Sequence, residues 1–135
     1  MVPRLVVFDL DGTLIDSQID LSNSVNATLV HLGRPELPHA VIAGYIGDGV
    51  GLLVRRALGD PEGDVHDEEF VNDAVRFFLD YYREHKLDFT YVYAGVMEAL
   101  GMRREGCFLR DRLIKDAWRD TYLYALLDDE WSRRP

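Results

Sequence analysis

The order of hydrophobic and polar residues predicts one buried strand followed by a block of helices. Leu5 to Phe8 is a continuous apolar run with β-branched and aromatic residues, which is typical of a strand buried on both faces. From Ser17 onwards the apolar residues recur every three or four positions, as they do on one face of a helix. Three such stripes follow in the sequence: Leu21, Val25, Leu29 and Leu32; then Val50, Leu53, Val54, Ala57 and Leu58; then Phe70, Ala74, Phe77, Phe78, Tyr81 and Tyr82.

Capping and helix-breaking residues set the limits of these helices. Ser17 is a candidate N-cap of the first helix, and Gly33 and Pro35 end that helix. The same signals predict a short helix over 39–43, a long helix over about 67–85, an extended connector over 87–93 and a further helix over 96–100. The apolar residues of the last part of the chain are only loosely periodic, and they predict a helix from about Leu109 to Leu127.

Two carboxylates stand where the predicted strand should end. Asp9 and Asp11 are separated by one residue, so their side chains project the same way from an extended segment. Gly12 follows and allows a sharp turn. Ligands bind at the carboxyl ends of strands in open parallel sheets, and two acids held there repel each other unless a cation or a shared proton intervenes. We therefore interpret this stretch as a site of chemistry rather than as a structural element. The alternative is a turn held by Asx-type hydrogen bonds.

A second candidate region is rich in glycine. Four glycines occur within the eight residues from Gly44 to Gly51, which predicts a loop that approaches a ligand or another part of the chain closely. The alternative is a simple connection between two helices.

Composition excludes several other classes of protein. The chain has 135 residues, of which 47% are hydrophobic and 29% charged, as expected of one globular domain. A net charge of −9 argues against nucleic acid or an anionic membrane as partner, and no apolar run approaches the roughly 20 residues of a membrane span. The single Cys107 excludes an internal disulfide, and the histidines lack metal-ligand spacing. Because no signal-peptide pattern is found, we expect a cytoplasmic protein.

The segment Phe8-Asp9-Leu10-Asp11-Gly12-Thr13-Leu14 matches the first motif of the haloacid dehalogenase-like (HAD) hydrolases, which is Asp-x-Asp-Gly-Thr between apolar residues. Together with Asp16-Ser17, the Gly44-x-x-Gly47-x-Gly49 loop and Tyr93-Ala94-Gly95-Val96, it resembles the phosphoglycolate phosphatase group. The resemblance covers about residues 4–100. It implies an α/β fold, with an HAD-like Rossmannoid core of which only the first strand is found and a helical cap, so that this chain is mostly α-helical.

The resemblance also implies roles for the residues of the first motif. Asp9 is expected to be the nucleophile that forms an aspartyl phosphate, and Asp11 to protonate the leaving alcohol and then activate water. Mg²⁺ is the expected cofactor, held by the Asp9 carboxylate and the Asp11 backbone carbonyl. Backbone amides from Leu10 to Gly12 are expected to bind the phosphate, and Thr13 to support the turn.

Further substrate contacts are implied for the helical cap. Gly47, Asp48, Gly49 and Arg56 belong to the stretch that would face the substrate, with Arg56 as a partner for a carboxylate or phosphate. Without the resemblance, an arginine beside Arg55 on a helix is more simply a solvated side chain.

Residues 101–135 depart from the family pattern. The family would continue with an apolar strand ending in Thr-Asn, then a Lys and an acidic pair such as Gly-Asp-x-x-x-Asp, and this series is not found. Residues 101–135 also carry eight basic and seven acidic side chains and both tryptophans. We therefore expect three parts: 1–16 as first strand and catalytic turn, 17–92 as helical cap, and 93–135 as the start of a return to the core plus an atypical tail. A truncated or frame-shifted reading frame is our hypothesis for this organisation.

These observations predict a Mg²⁺-dependent phosphatase for a small phosphate monoester similar to phosphoglycolate, with activity in doubt for a truncated chain. A sugar-phosphate phosphatase, a phosphomutase and a pyrophosphatase share the first motif and remain open as alternatives. The alternative from another class is a catalytically dead fragment that acts as a helical binding module or self-associates.

Overall fold

The computed structural model describes residues 10–114 and 116–132, and it divides the chain after Tyr91 into two compact units. The predicted strand Leu5–Phe8 and Asp9 lie outside the described residues. The elements of the described part are, in order, β1 (Ile15–Asp16), α1 (Gln18–His31), α2 (His39–Ala43), α3 (Val50–Leu58), α4 (Glu68–His85), β2 (Tyr91–Val92), α5 (Val96–Ala99), β3 (Arg103–Ile114), β4 (Ala117–Ala125) and α6 (Asp128–Ser132).

The core of the first unit is built by helices α1 to α4. Apolar side chains from all four helices are buried together: Leu21, Val25, Leu29, Ile42, Leu53, Val54, Leu58, Val71, Ala74 and Phe78. The helical stripes predicted for α1 and α3 supply most of this core, because residues three and four apart share one face of a helix. These two predictions are confirmed.

The predicted apolar face of α4 is only partly the face that the core uses. Ala74 and Phe78 are buried as expected, and Val71 joins them, whereas Phe77 and Tyr81 are only half-buried. Their rings instead stack in a row, with Phe77 lying 4.0 Å from the His31 ring and Tyr81 4.2 Å from the His85 ring. The aromatic side of α4 therefore lies at the margin of the core.

The ends of the helices follow local hydrogen bonding. Asp67 caps α4, because its side chain accepts a hydrogen bond of 2.8 Å from the Phe70 N–H. At the end of α3, Gly59 adopts a left-handed conformation with φ of 77°, which residues with a Cβ adopt only at a cost. Ser17 stands at the N-cap position of α1 as predicted, but its side chain makes no capping hydrogen bond.

A buried carboxylate fixes the chain after α4 against the start of α1. Asp20 is 1% exposed, and its oxygens accept hydrogen bonds from the backbone N–H groups of Phe89 and Thr90 at 2.8–3.0 Å. The Thr90 hydroxyl donates a further hydrogen bond of 2.8 Å to the same carboxylate. Directly after Thr90, β2 pairs with β1 in a two-stranded sheet. These hydrogen bonds join segments about 70 positions apart in the sequence.

A second buried carboxylate organises the turn between α3 and α4. Asp60 is fully enclosed and accepts hydrogen bonds from the backbone N–H groups of Asp64, Val65 and His66 at 2.9–3.0 Å. Arg55 approaches the same carboxylate at 3.4 Å. Burial raises the pKa of the Asp60 carboxyl, but the three N–H donors and Arg55 outweigh it, so that this pKa is lowered overall.

The second unit contains a long antiparallel hairpin in which β3 pairs with β4. The helix predicted from Leu109 to Leu127 is therefore wrong. The residues of β4 alternate between its two faces, with Trp118, Tyr122 and Tyr124 on the same face, and aromatic residues favour strands. Asp116, in the turn between the strands, has a positive φ of 61°, which interrupts a helix.

The described chain is a partial α/β structure in which helices are the most frequent element, with two two-stranded sheets. The predicted fold class is in agreement with this architecture. Among the described residues, no helix is long and apolar enough to cross a membrane.

We predict that Asp20→Asn lowers the free energy of unfolding by about 3 kcal/mol, because buried N–H donors lose a charged acceptor. Urea unfolding followed by circular dichroism measures this change. Asp73→Asn on the exposed side of α4, where the carboxylate is 62% exposed, is the matched control and is expected to change stability by less than about 0.5 kcal/mol. Equal stability of the two variants would contradict the role of Asp20.

We also predict that Asp60 contributes to the acid sensitivity of the fold. Because its pKa is lowered in the folded state, its stabilising contribution is present above about pH 4 and is lost as the pH falls through the folded-state pKa. Urea midpoints measured between pH 7 and pH 3 should therefore fall less steeply for Asp60→Asn than for the wild type. Asp64→Asn, which removes an exposed carboxylate of the same loop, should keep the wild-type pH profile.

Candidate active site

The chain turns sharply just after the predicted nucleophile position. The carbonyl of Leu10 accepts hydrogen bonds from the N–H groups of Thr13, Leu14 and Ile15 at 2.9–3.3 Å. Gly12 has a φ of +75°, a conformation that L-residues rarely adopt, and its N–H donates to the Ile15 carbonyl at 2.8 Å. This tight turn holds Asp11 just ahead of β1.

The Asp11 carboxylate is held by the residue that stands at the N-cap of α1. The Ser17 hydroxyl donates a hydrogen bond of 2.5 Å to Asp11 Oδ1, and Ser17 is 2% exposed. The Ser17 hydroxyl therefore acts as a donor toward the acidic turn, while its oxygen accepts no capping hydrogen bond from α1. Asp11 itself is exposed to solvent.

Asp11 and the glycine-rich loop line the same cleft. Its volume is about 230 Å³, and its lining residues are Asp11, Leu21, Ile46, Gly47, Gly49, Val50 and Leu53. Gly47 and Gly49 both have a positive φ, at 127° and 89°. The cleft therefore combines one carboxylate, a glycine backbone with positive φ and an apolar floor to which α1 and α3 contribute.

Arg56 contacts the glycine-rich loop and does not line this cleft. One guanidinium nitrogen donates to the Tyr45 carbonyl at 3.0 Å, and another lies 2.7 Å from Asp48 Oδ2. The carboxylate of Asp48 is 58% exposed, so this ion pair is partly screened by solvent. Arg56 thus joins both ends of the segment that precedes α3.

Only some of the site residues predicted from the sequence line the cleft. Asp11, Gly47 and Gly49 lie together in the cleft, whereas Asp48 and Arg56 pair with each other beside it. The backbone of Leu10, Gly12 and Thr13 forms the turn next to Asp11 without lining the cleft. Asp9 lies outside the described residues.

Sequence reasoning missed the apolar floor of the cleft and the polar contact of Ser17. Leu21, Val50 and Leu53 belong to helical stripes, and Ser17 precedes a helix, so each had an ordinary structural explanation. The available signal was the position of Ser17, six residues after Asp11 and just beyond the turn.

A larger cleft of about 350 Å³ lies between α1 and α2, and its lining consists of Gln18, Ile19, Ser22, His39, Ala40 and Ala43. This lining includes no carboxylate and no residue of the two candidate motifs. The smaller cleft is therefore the candidate site.

Comparison with known proteins identifies the family to which this fold and this site belong. The sequence profile of the haloacid dehalogenase-like hydrolases matches residues 6–106, and the chain belongs to that family. It is 46% identical over 101 residues to a phosphoglycolate phosphatase of Chromobacterium violaceum, and 45% identical over 109 residues to that of Pseudomonas putida. The resemblance noted from the sequence is confirmed.

Solved structures agree with this assignment. A predicted phosphoglycolate phosphatase from Haemophilus somnus 129PT superposes on 70% of this chain with a TM-score of 0.60 and 30% identity. A predicted phosphatase from Clostridium acetobutylicum has a TM-score of 0.59 and 24% identity over the same share, which supports the fold alone.

The matches cover most of this chain but less of the relatives. They span 75% and 78% of this chain, and 46% and 39% of the two bacterial phosphatases. For the Haemophilus structure the share of that chain is 43%. The chain thus spans less than half of the length of the curated relatives it matches.

We predict that Arg56 restrains the glycine-rich loop. Arg56→Ala removes one hydrogen bond and one partly screened ion pair, together about 1–2 kcal/mol, so amide exchange over 44–51 should quicken roughly tenfold. Hydrogen–deuterium exchange with mass spectrometry measures this. Arg55→Ala is the matched control: because Arg55 contacts Asp60 and Glu68, it should quicken exchange over 60–68 and leave 44–51 unchanged. Unchanged exchange over 44–51 in Arg56→Ala would refute the restraint.

Proposed function

We propose that this chain acts in the hydrolysis of a small phosphate monoester similar to phosphoglycolate, as a cytoplasmic HAD phosphatase. The observation that carries the proposal is the cleft that brings Asp11 of the Asp-x-Asp-Gly-Thr motif next to Gly47 and Gly49. A cleft of about 230 Å³ accommodates a small substrate rather than a macromolecule. The names of the bacterial relatives support the substrate class.

In the proposed reaction, one carboxylate is the nucleophile and the other is the general acid and base. An oxygen of Asp9 attacks phosphorus, the bond from phosphorus to the leaving oxygen breaks, and Asp11 gives its proton to the departing alkoxide. A water molecule then loses a proton to Asp11 and attacks the aspartyl phosphate, which releases inorganic phosphate and restores Asp9. The contact with Ser17 leaves Asp11 at the edge of the cleft, where it can exchange protons with a substrate.

The surrounding residues are proposed to hold the substrate. Backbone amides of Leu10 and Asp11 would bind phosphate oxygens, as N–H groups of tight turns do. Gly12, whose N–H donates to the Ile15 carbonyl, and Thr13 would support the turn. Gly47 and Gly49 would let the loop backbone approach the organic part of the substrate. Asp48 and Arg56 would act together on the shape of this loop, through the ion pair between them.

Mg²⁺ is the proposed cofactor. Among the described residues no group of three or more His, Cys, Asp or Glu side chains is placed to hold a metal. Mg²⁺ keeps several water ligands and uses one or two carboxylates, so it does not require a cluster of three. Asp9 and the backbone carbonyl of Asp11 would hold the ion, which when bound would neutralise the repulsion between carboxylate and phosphate.

We predict Mg²⁺-dependent hydrolysis of phosphoglycolate by the full 135-residue chain. Asp9→Asn should reduce turnover to background, and Asp11→Asn should reduce it by about 10²–10⁴-fold, because it removes the general acid. Phosphate release is measured with and without EDTA, and Asp73→Asn on α4 is the control that should retain activity. Turnover equal in Asp9→Asn and wild type would contradict the mechanism.

A substrate panel separates the alternatives within the family. Phosphoglycolate, a sugar phosphate and inorganic pyrophosphate are compared at equal concentration, and transfer of phosphate between sugar positions is followed for a phosphomutase. We expect the highest kcat/KM for phosphoglycolate. A higher value for either of the other substrates, or isomerisation of the sugar phosphate, would move the assignment to that class.

A second candidate function is association through the hairpin of the second unit. Its side chains are unusually exposed for their size, with Leu109 at 75%, Trp118 at 58% and Phe108 at 55%. A two-stranded sheet is marginal in water, and its unpaired edges favour pairing with another chain. Sedimentation velocity over a range of concentrations distinguishes this function: a monomer at all concentrations would exclude self-association.

A further inference from the structure

Ser17 contacts the acidic turn from the start of α1 without lining the cleft. It is 2% exposed, and its hydroxyl donates a hydrogen bond of 2.5 Å to Asp11 Oδ1. Two other buried hydroxyls of α1 bond within the helix, because Ser24 and Thr28 donate to the carbonyls four residues before them at 2.8 Å. A hydrogen bond to an ionised carboxylate is roughly twice as strong as one between neutral groups. The Ser17 hydroxyl is therefore committed to the candidate general acid rather than to its own helix.

The direction of this hydrogen bond determines which oxygen of Asp11 carries the proton to be transferred. An ionised carboxylate only accepts hydrogen bonds, so the Ser17 hydroxyl is the donor to it. If the acid form carried its proton on Oδ1, two protons would face each other across the 2.5 Å between the oxygens of Ser17 and Asp11. The acid form therefore carries its proton on Oδ2, while Oδ1 continues to accept from Ser17. Asp11 is exposed and lines the cleft, where Oδ2 is left to exchange this proton with a substrate.

The position of Ser17 is fixed from both sides by the segment that follows α4. Asp16, directly before Ser17, accepts a hydrogen bond of 2.9 Å from the Tyr91 hydroxyl. Asp20, three residues after Ser17, accepts a hydrogen bond of 2.8 Å from the Thr90 N–H. A displacement of Ser17 away from Asp11 would therefore distort hydrogen bonds on either side of it.

We propose that Ser17 is a positioning residue for Asp11: its hydroxyl holds Oδ1, fixes the rotation of the carboxyl group and leaves proton transfer to Oδ2. An ordinary N-cap role would instead require the Ser17 side chain to accept a hydrogen bond from an N–H of α1, and it accepts none. The catalytic part of this inference rests on the proposed function, whereas the contact itself does not. Its test therefore has two independent measurements.

The first measurement tests the contact without using activity. It is a double-mutant cycle on urea midpoints of the full chain, with Ser17→Ala, Asp11→Ala and the double variant. Ser17→Ala should lower the midpoint of the wild type but not that of Asp11→Ala, so that the two shifts are non-additive. Ser24→Ala is the matched control, because it removes a buried hydroxyl of the same helix that donates to the Asp20 carbonyl. Its shift should add to that of Asp11→Ala.

The second measurement is steady-state kinetics with phosphoglycolate and Mg²⁺. Ser17→Ala should lower kcat roughly tenfold, the effect of losing one charge-assisted hydrogen bond, with KM changed less than about twofold. In Asp11→Asn, Ser17→Ala should change the residual kcat less than about twofold, because no general acid is left to be positioned. Ser17→Thr keeps a hydroxyl and should restore kcat to within about threefold of the wild type, and Ser24→Ala should match the wild type. The urea midpoints verify that each variant is folded in the assay.

The outcomes separate this inference from the proposed function. Additive midpoint shifts for Ser17 with Asp11 overturn the contact, whatever the activity. With a non-additive cycle, the positioning role is overturned if Ser17→Ala leaves kcat unchanged, or if it lowers kcat equally in the wild type and in Asp11→Asn. If the wild-type chain hydrolyses no phosphate ester, the proposed function fails, while a non-additive cycle still supports the contact between Ser17 and Asp11.

Discussion

The buried carboxylate of Asp20 is the interaction on which the placement of the site depends. A four-helix core holds α1 to α4 together, but nothing in that core returns the chain to the acidic turn. Asp20 brings the chain back by accepting hydrogen bonds from the N–H groups of Phe89 and Thr90, and directly after them β2 pairs with β1. Because an ionised carboxylate is costly to bury without donors, this site is stable only when the returning segment supplies them. The same carboxylate contributes to the electrostatic environment of Tyr82.

The sequence predicted the helices of the first unit well, because their signals are local. The apolar residues of α1 and α3 recur at helical spacing, and Asp67 and Gly59 mark helix ends by rules that involve only a few neighbours. The acidic turn was likewise readable from Asp11-Gly12 alone. What periodicity could not indicate was which half of the aromatic face of α4 is buried, because packing against α1 decides it.

Long-range contacts could not be predicted from the sequence for a different reason. Asp11 and Gly47 meet in one cleft only because the helices pack in one particular arrangement. Ser17 had a sufficient local explanation as an N-cap, which concealed its hydrogen bond to Asp11. The hairpin was missed because a helix and a strand compete wherever apolar residues are only loosely periodic, and pairing between β3 and β4 decided the outcome.

Three boundaries lie close together in the chain. Composition changes near Gly101, the family profile ends at residue 106, and β3 begins at Arg103. The residues that match the family therefore contain every candidate site residue named here, from Asp9 to Arg56, together with Ser17. In the first unit, polar contacts hold the described candidate residues at two places: the turn after Leu10, where Ser17 donates to Asp11, and the loop before α3, which Arg56 contacts. Catalysis by this arrangement would depend on the packing of α1 as much as on the acidic motif itself, because Asp11 is held by the residue at the start of α1.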